Sequence, residues 1–325
     1  MTTERFHPSR RAALGLMGGA ILAPRTALAR AGDVLQGRAF GTGWRIAAPP
    51  GAGLAARRPE IETLFAGIDL AFSPWRHDSE ISRLNREGGG SHDTGAEFLR
   101  VASAALDIAR RSEGAFDPTV GPLVARLGFG PITQGAAPDW RGVSITQGAI
   151  TKARAGLTLD LCGIAKGYAL DRAAGLLRAE GLGDILFEIG GEFLAMGHHP
   201  DGRDWRVAVE APSPFDAGLT ALRLPPGAAV ATSGTRAQSY DLNGRVLSHI
   251  IAQGGAGPAF AGHRSVTVLA EDAMTADGWA TALCAAGEEA GPDLASTHSI
   301  MALFQSDRAG APRAIWTGGF ERLKL

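Results

Sequence analysis

The segment "LTLDLCGIAKGYALDRAAGLLRAEGLGDILFEIGGEFLAMG", residues 157–197, decides the fold class. Its apolar opening reads as a strand that reaches Asp160 and passes through Gly163 into a helix. Apolar residues then recur on one helical face at Ile164, Tyr168, Ala169, Ala173, Leu176 and Leu177, and Gly181 closes the run. Two strands follow, "DILFEIG" and "FLAMG", on either side of Gly190 and Gly191. A dinucleotide-binding fingerprint needs a third spaced glycine and a helix after it, and here a strand follows instead. The glycine pair therefore reads as a tight hairpin, or as flat backbone against which a ligand can lie. A helix feeding a strand pair of this kind points to an α+β protein and away from a Rossmann fold.

The flanking sequence extends that reading. In "GAEFLRVASAALDIARRSEG", Phe98, Leu99, Ala102, Ala105, Leu106 and Ala109 mark a second helix, stopped by Gly114. A third helix is read in "DAMTADGWATALC", residues 272–284. Strand-like pieces are "GWRIAA", "WRVAVEA", "LTALRL", "AAVATS", "SVTVLA" and "SIMALFQ", so strands outnumber helices in the second half. No repeat or low-complexity linker divides the chain, and the Pro/Gly-rich stretch from Gly128 to Asp139 reads as a surface excursion. The expectation is one α+β unit over residues 33–325, with mixed sheets and flanking helices, open to division into two lobes.

Composition narrows the function. With 45% hydrophobic and 20% charged residues the chain can bury a large core, which excludes a disordered protein. A net charge of −1 gives no electrostatic reason to expect nucleic acid or an anionic membrane as partner. Residues 1–29 read as a twin-arginine export signal: Arg10 and Arg11, an apolar run from Ala12 to Pro24, and a small-x-small ending at Ala27-Leu28-Ala29. That run is too short to be a permanent membrane span. Cys162 and Cys284 make no disulfide framework. They could pair in an oxidising compartment, but each lies in an apolar segment that suits a buried thiol.

Several polar residues stand where core residues are expected. Asp277 and Thr281 are four apart on the third helix, so their oxygens share a face, and a carboxylate drawn into a core needs a partner or a cation. Asp117 precedes Pro118 and sits at a loop end, for which an Asp-Pro turn is the plainer account. Asp160 and Lys166 bracket Gly163 at a helix start, where free backbone N–H groups favour anions; Asp160 alone would be explained as a cap. The Walker A spacing is absent. His249 lies between Ser248 and Ile250, and taken alone it reads as an ordinary core histidine.

Together these pieces resemble the ApbE family of flavin transferases. The similarity runs from about Phe40 to about Ala295, through "DSEISRLN", "GAFDPTVGPL", "LDLCGIAKGYALDRAAGLL", "IGGEFLAMGHHPDGRDWRVAVEAP", "AVATSGT", "SHII" and "SVTVLAEDAMTADGWATAL". The resemblance implies an ApbE-like fold and a Mg2+-dependent transfer of FMN from FAD to a threonine hydroxyl of a target protein, with release of AMP. It implies that Asp277, Thr281 and the carbonyl of Gly163 hold the metal. Phe40, Trp75, Ala115, Phe116, Asp117, Asp160, Lys166 and Ile250 would hold FAD, and His249 would serve as the base. The acceptor would be a periplasmic or membrane-bound redox protein with a Ser/Thr-Gly-Ala-Thr-like segment.

Three departures from the family pattern stand out. Phe40 replaces the usual methionine and Trp75 the usual tyrosine. After Ile251 the family's Asp-Pro-Arg-Thr-Gly gives way to Ala252-Gln253-Gly254-Gly255-Ala256, which removes a carboxylate and a guanidinium beside the histidine. A metal-dependent FAD pyrophosphatase and a non-catalytic flavin-binding maturation factor are the alternatives. Replacing Asp277 with alanine is expected to abolish transfer and leave the fold intact.

Overall fold

The computed structural model describes residues 32–213, 218–242, 245–255, 259–260, 263–308 and 311–325. The export signal at residues 1–29, and Ala256 of the altered loop, lie outside the described residues. The strands are β1 (Asp33–Ala39), β2 (Thr42–Ala48), β3 (Gly90–Asp93), β4 (Val143–Thr146), β5 (Ala149–Lys152), β6 (Ile185–Ile189), β7 (Glu192–Met196) and β8 (Trp205–Glu210). They continue as β9 (Leu219–Leu224), β10 (Ala229–Gly234), β11 (Ser239–Leu242), β12 (Arg245–Ser248), β13 (Ala259–Phe260), β14 (His263–Ala270), β15 (Met301–Arg308) and β16 (Ala311–Thr317). The helices are α1 (Arg58–Phe72), α2 (Glu80–Arg86), α3 (Ala96–Arg111), α4 (Gly121–Arg126), α5 (Cys162–Ala179) and α6 (Ala273–Thr297).

One eight-stranded sheet, in the order β1-β2-β6-β7-β10-β14-β15-β16, organises the molecule. Every neighbouring pair in it is antiparallel. Both faces of its central strands are buried, and those strands show it in strict alternation. Ile46, Phe187, Leu194, Ala231 and Phe304 point into the larger core, shared with the helices. Their neighbours Ala47, Leu186, Ala195, Val230 and Leu303 point into a smaller core under the β8–β9 hairpin. Side chains that alternate across a strand can serve two cores only if both sets are apolar, which is why these strands read as nearly continuous hydrophobic runs.

Helices α5 and α6 lie against each other on the larger-core side. Their approach depends on Gly167: a Cβ there would sit 2.1 Å from the backbone oxygen of Ala273. The start of α6 is held twice. The Asp272 side chain accepts from the Thr275 N–H at 2.7 Å, and the Asp171 carboxylate of α5 accepts from the Ala273 and Met274 N–H groups at 2.8 and 2.9 Å. These bonds satisfy first-turn donors that have no partner within the helix. They also fix where Asp277 and Thr281 sit along α5.

The Gly190-Gly191 turn is the tight hairpin between β6 and β7, with φ of 60° and 106°. Two consecutive residues with positive φ are what a two-residue hairpin turn of this twist requires. The strand expected at residues 157–161 does not form. That segment joins no sheet, because the Asn85 side chain takes the place of a neighbouring strand: its amide donates to the Leu159 carbonyl and its oxygen accepts from the Leu159 N–H, both at 2.7 Å. An apolar run signals burial, and here the ladder bonds come from one asparagine.

Candidate functional site

The residues singled out by sequence converge where the start of α5 meets the first turns of α6. Asp277 is 2% exposed, and its Oδ2 accepts from the Gly167 N–H at 3.0 Å. Its Oδ1 lies 3.5 Å from the Lys166 ammonium, which also reaches Glu192 Oε1 at 3.2 Å. Glu192 is 3% exposed, and its Oε2 has no hydrogen-bond partner. One ammonium thus sits between two buried carboxyl groups. Burial by itself would lower the Lys166 pKa, but the charges of Asp277 and Glu192 outweigh it and hold the ammonium well above its ordinary range. Burial pushes the Glu192 carboxyl up, against the pull of Lys166.

One turn along α6, the Thr281 hydroxyl lies 3.4 Å from the Gly163 carbonyl oxygen and 3.0 Å from the Ser233 hydroxyl at the end of β10. Gly163 is closely hemmed in. A Cβ there would meet Thr281 Oγ1 at 3.1 Å and the Phe116 ring at 3.3 Å. The donors gathered here are a carboxylate, a hydroxyl and a carbonyl, an all-oxygen set that suits a hard divalent cation such as Mg2+ and not a soft metal. Asp277 also has a structural role beside that of candidate ligand. It supplies the acceptor for a buried N–H at the α5–α6 contact, a bond that alanine would delete.

Around this centre, Asp160 Oδ1 accepts from the Cys162 N–H at 3.0 Å at the start of α5. The backbone N–H of Asp160 donates to the Pro118 carbonyl at 2.7 Å, which ties the α5 start to the "GAFDPT" segment. In that segment Ala115 and Phe116 are buried, and Asp117 accepts from the Thr119 N–H and hydroxyl at 2.8 and 2.5 Å. Burial raises the Asp117 pKa, and the two bonds from Thr119 oppose the rise.

His249 follows β12. Its Nδ1 lies 3.3 Å from the Gln238 carbonyl and 3.4 Å from the Ser248 hydroxyl; a bond to the carbonyl requires the proton on Nδ1, the tautomer that leaves Nε2 with its lone pair. Burial pushes the imidazole pKa below its usual value, and the charge of Lys166 pushes the same way; the Gln238 carbonyl and Asp160 oppose them. The ring is therefore neutral at neutral pH. Ile250 is buried behind it, with its N–H donating to Ser248 Oγ at 3.2 Å. Within the altered loop, the Gln253 amide donates to the Glu113 carbonyl at 3.2 Å.

Phe40 occupies the two-residue turn between β1 and β2 with φ of 52°, a strained conformation for a bulky residue. It borders a recess of about 410 Å³ lined also by Arg38, Thr42, Glu62, Phe65 and Asp69. This turn lies next to the glycine hairpin: a Cβ on Gly190 would meet Thr42 Cγ2 at 2.8 Å. Glu192 follows directly, so the recess opens at the same end of the sheet as Lys166. Trp75 is 55% exposed, and its neighbour Arg76 is tethered to Asp69 of the recess at 3.4 Å and to Asp78 at 2.8 Å.

The structure adds residues to which sequence reading gave no role at the site: Glu192, Ser233, which reads in sequence as part of a polar turn and lies instead within β10, Gln238, and Phe129, whose ring meets His249 edge-on at 6.3 Å. The cysteines are free thiols, Cys284 buried in α6 and Cys162 exposed at the start of α5. Among the described residues, no helix is long and apolar enough to cross a membrane.

Comparison with known proteins gives one consistent result. The model of the ApbE family matches residues 40–304. The FAD:protein FMN transferase of Vibrio cholerae serotype O1 is 34% identical over 289 residues, covering 83% of this chain and 86% of the relative. That of Klebsiella pneumoniae is 31% identical over 281 residues, 79% of each chain. Among solved structures, the flavin transferase ApbE from Vibrio cholerae superposes with a TM-score of 0.78 at 32% identity, covering 90% of this chain and 98% of the other. The apo form of the Pseudomonas stutzeri flavinyl transferase superposes with a TM-score of 0.80 at 30% identity, covering 90% and 96%.

Proposed function

The chain belongs to the ApbE family and moves FMN from FAD to a target protein; from that premise we propose that the transfer is Mg2+-dependent and ends on a threonine hydroxyl, with release of AMP. The observation that carries this reading is the meeting of Asp277, Thr281 and the Gly163 carbonyl with Lys166 and a neutral His249 at one end of the sheet. Phosphoryl transfer to an alcohol asks the protein mainly for alignment and for neutralisation of charge on the pyrophosphate.

In this reading Asp277, Thr281 and the Gly163 carbonyl hold Mg2+, which when bound neutralises phosphate oxygens and orients them. Lys166 supplies a second positive charge to the diphosphate. Phe40 and Trp75 border the space for the flavin ring, and Ala115, Phe116, Asp117, Asp160 and Ile250 form the wall along the rest of FAD. His249 Nε2 takes the proton of the threonine hydroxyl as its oxygen bonds to the FMN phosphorus. The bond from that phosphorus to the bridging oxygen breaks, and AMP leaves with the oxygen. The neutral imidazole suits this role, since only the unprotonated ring accepts a proton.

The twin-arginine signature of residues 1–29 supports placement in the periplasm, with a redox protein as acceptor. The test is to incubate the mature protein with FAD, Mg2+ and a small carrier domain bearing a grafted Ser-Gly-Ala-Thr segment, and to map the product by tandem mass spectrometry. One FMN on the threonine, lost with EDTA, is expected. Free FMN and AMP with an unmodified carrier would instead support the pyrophosphatase alternative.

A further inference from the structure

One aromatic neighbour of His249 lies outside the set of residues assigned to FAD above. Phe129, in the segment after α4, meets the imidazole edge-on at 6.3 Å and stacks on Tyr240 of β11 with ring centroids 5.4 Å apart and planes 24° from parallel. The Tyr240 hydroxyl donates to the Leu127 carbonyl at 3.2 Å, which fixes the stack. Tyr240 is nevertheless 43% exposed, and Leu242, two residues on, is 53% exposed. Residues i and i+2 of a strand point to one face, so the two apolar side chains lie side by side. Strand β11 is an outer strand of its three-stranded sheet, and Gln238, just before it, is the residue whose carbonyl orients His249.

Two surroundings therefore meet at this imidazole. On one side stand Lys166 and Asp160, whose charges both act on the ring, the side that the proposed function gives to the diphosphate. On the other is a solvent-facing apolar strip that begins at Phe129 and runs outward along β11. The second substrate is a polypeptide whose hydroxyl must come within about 3 Å of the His249 lone pair, and its flanking residues must lie on whatever surrounds the histidine outside the nucleotide site.

Resting on that reading of His249, we propose that Phe129, Tyr240 and Leu242 form the docking strip for an extended acceptor segment that carries an apolar side chain about four residues from its threonine, the separation that the β11–β12 register sets between His249 and Leu242. An extended chain repeats its facing side chains every ~6.6–6.8 Å, the spacing that Tyr240 and Leu242 themselves present. The strip continues directly from the catalytic residue, and an acceptor laid along it delivers its hydroxyl to His249 while the apolar flank covers Leu242. Tyr240 and Phe129 also position the imidazole, whereas Leu242 touches only the acceptor.

The test uses Leu242→Asp in the full mature protein, with FAD, Mg2+ and the carrier bearing a grafted Ser-Gly-Ala-Thr segment with a leucine about four residues from its threonine. The expected result is a fall of about tenfold or more in kcat/KM for the carrier, expressed in KM, with kcat and the FAD dissociation constant unchanged and activity restored in Leu242→Met. A carrier whose threonine is replaced by alanine should inhibit wild type competitively and Leu242→Asp at least tenfold less. An unchanged kcat/KM overturns the proposal, as does an equal loss of FAD affinity, which would place Leu242 in the nucleotide site. The base assignment is separable, because it fails on His249→Ala retaining turnover, whatever Leu242→Asp does.

Discussion

Replacing Asp277 separates metal binding from folding, because the two available substitutions remove different things. In Asp277→Ala the buried Gly167 N–H loses its acceptor, and an unsatisfied buried donor costs about 1–3 kcal/mol. Lys166 keeps Glu192 as a partner at 3.2 Å when Asp277 is replaced. Asp277→Asn keeps an oxygen for the Gly167 N–H and should lie close to wild type in urea unfolding. At roughly 2–4 °C per kcal/mol for a domain of this class, alanine should melt visibly lower than asparagine. Both variants lose the one anionic ligand in the oxygen set. Both should bind Mn2+ too weakly to titrate in the presence of FAD, and transfer should fall at least about 100-fold, some 2.7 kcal/mol of transition-state stabilisation. A calorimetric Kd for Mn2+ in Asp277→Asn within threefold of wild type would refute the metal assignment. Equal stability of the two variants would refute the role given to the Gly167 bond.

Three further outcomes follow from the same geometry. Lys166→Met leaves Asp277 and Glu192 buried without their shared cation; burial pushes the Glu192 carboxyl up to about 8, so the loss of about 3–5 kcal/mol should be felt above that pH and should shrink in urea unfolding as pH falls through about 8 toward neutrality and Glu192 takes a proton. For His249 the depressed pKa means that the base form persists below the usual histidine range, so the acid limb of the kcat/KM profile should have its midpoint below about 6.5; His249→Ala should lower turnover by about 10²–10⁴-fold with FAD still bound, and a midpoint above that value would contradict the burial argument. Gly167→Ala places a methyl 2.1 Å from a backbone oxygen of α6, an overlap that no rotamer relieves; a loss of about 3 kcal/mol or more, or failure to fold, is expected in a thermal melt, and a neutral result would contradict the close packing of α5 on α6.

Much of the frame is legible from hydrophobic period. Helices α3 and α5 follow from their apolar stripes, and β6, β7, β10, β14 and β15 from short apolar runs, because these elements bury whole faces. In α1 the stripe Ile61, Phe65, Ile68 and Phe72 is equally regular and buried, so that helix is readable in principle by the same rule. Strands β3 and β11 are four residues long and mostly exposed, and carry no alternation to read. Residues 157–161 show the opposite failure: an apolar run marks burial but does not say whether a strand or a side chain such as Asn85 supplies the hydrogen bonds.

At the site, motif resemblance pointed to Asp277, Thr281, Lys166 and His249, and the fold brings them to one end of the sheet. Glu192 could not be found this way. A glutamate opening a strand after a glycine turn has nothing to mark it until α5 is laid across that strand and Lys166 reaches it. Phe129 likewise acquires meaning only through its stacking on Tyr240 and its contact with His249. The conformational strain at Phe40 is invisible in sequence, because phenylalanine gives no warning of a positive φ.

The most direct measurement is a crystal of the mature protein soaked with FAD and Mn2+, with data collected at the manganese absorption edge. The account predicts one anomalous peak in coordination contact with Asp277, Thr281 Oγ1 and the Gly163 carbonyl and with the FAD diphosphate, and Lys166 withdrawn from Asp277 toward Glu192 or the phosphates. A peak elsewhere, or an ordered diphosphate with Lys166 still against Asp277 and no metal between them, would contradict it.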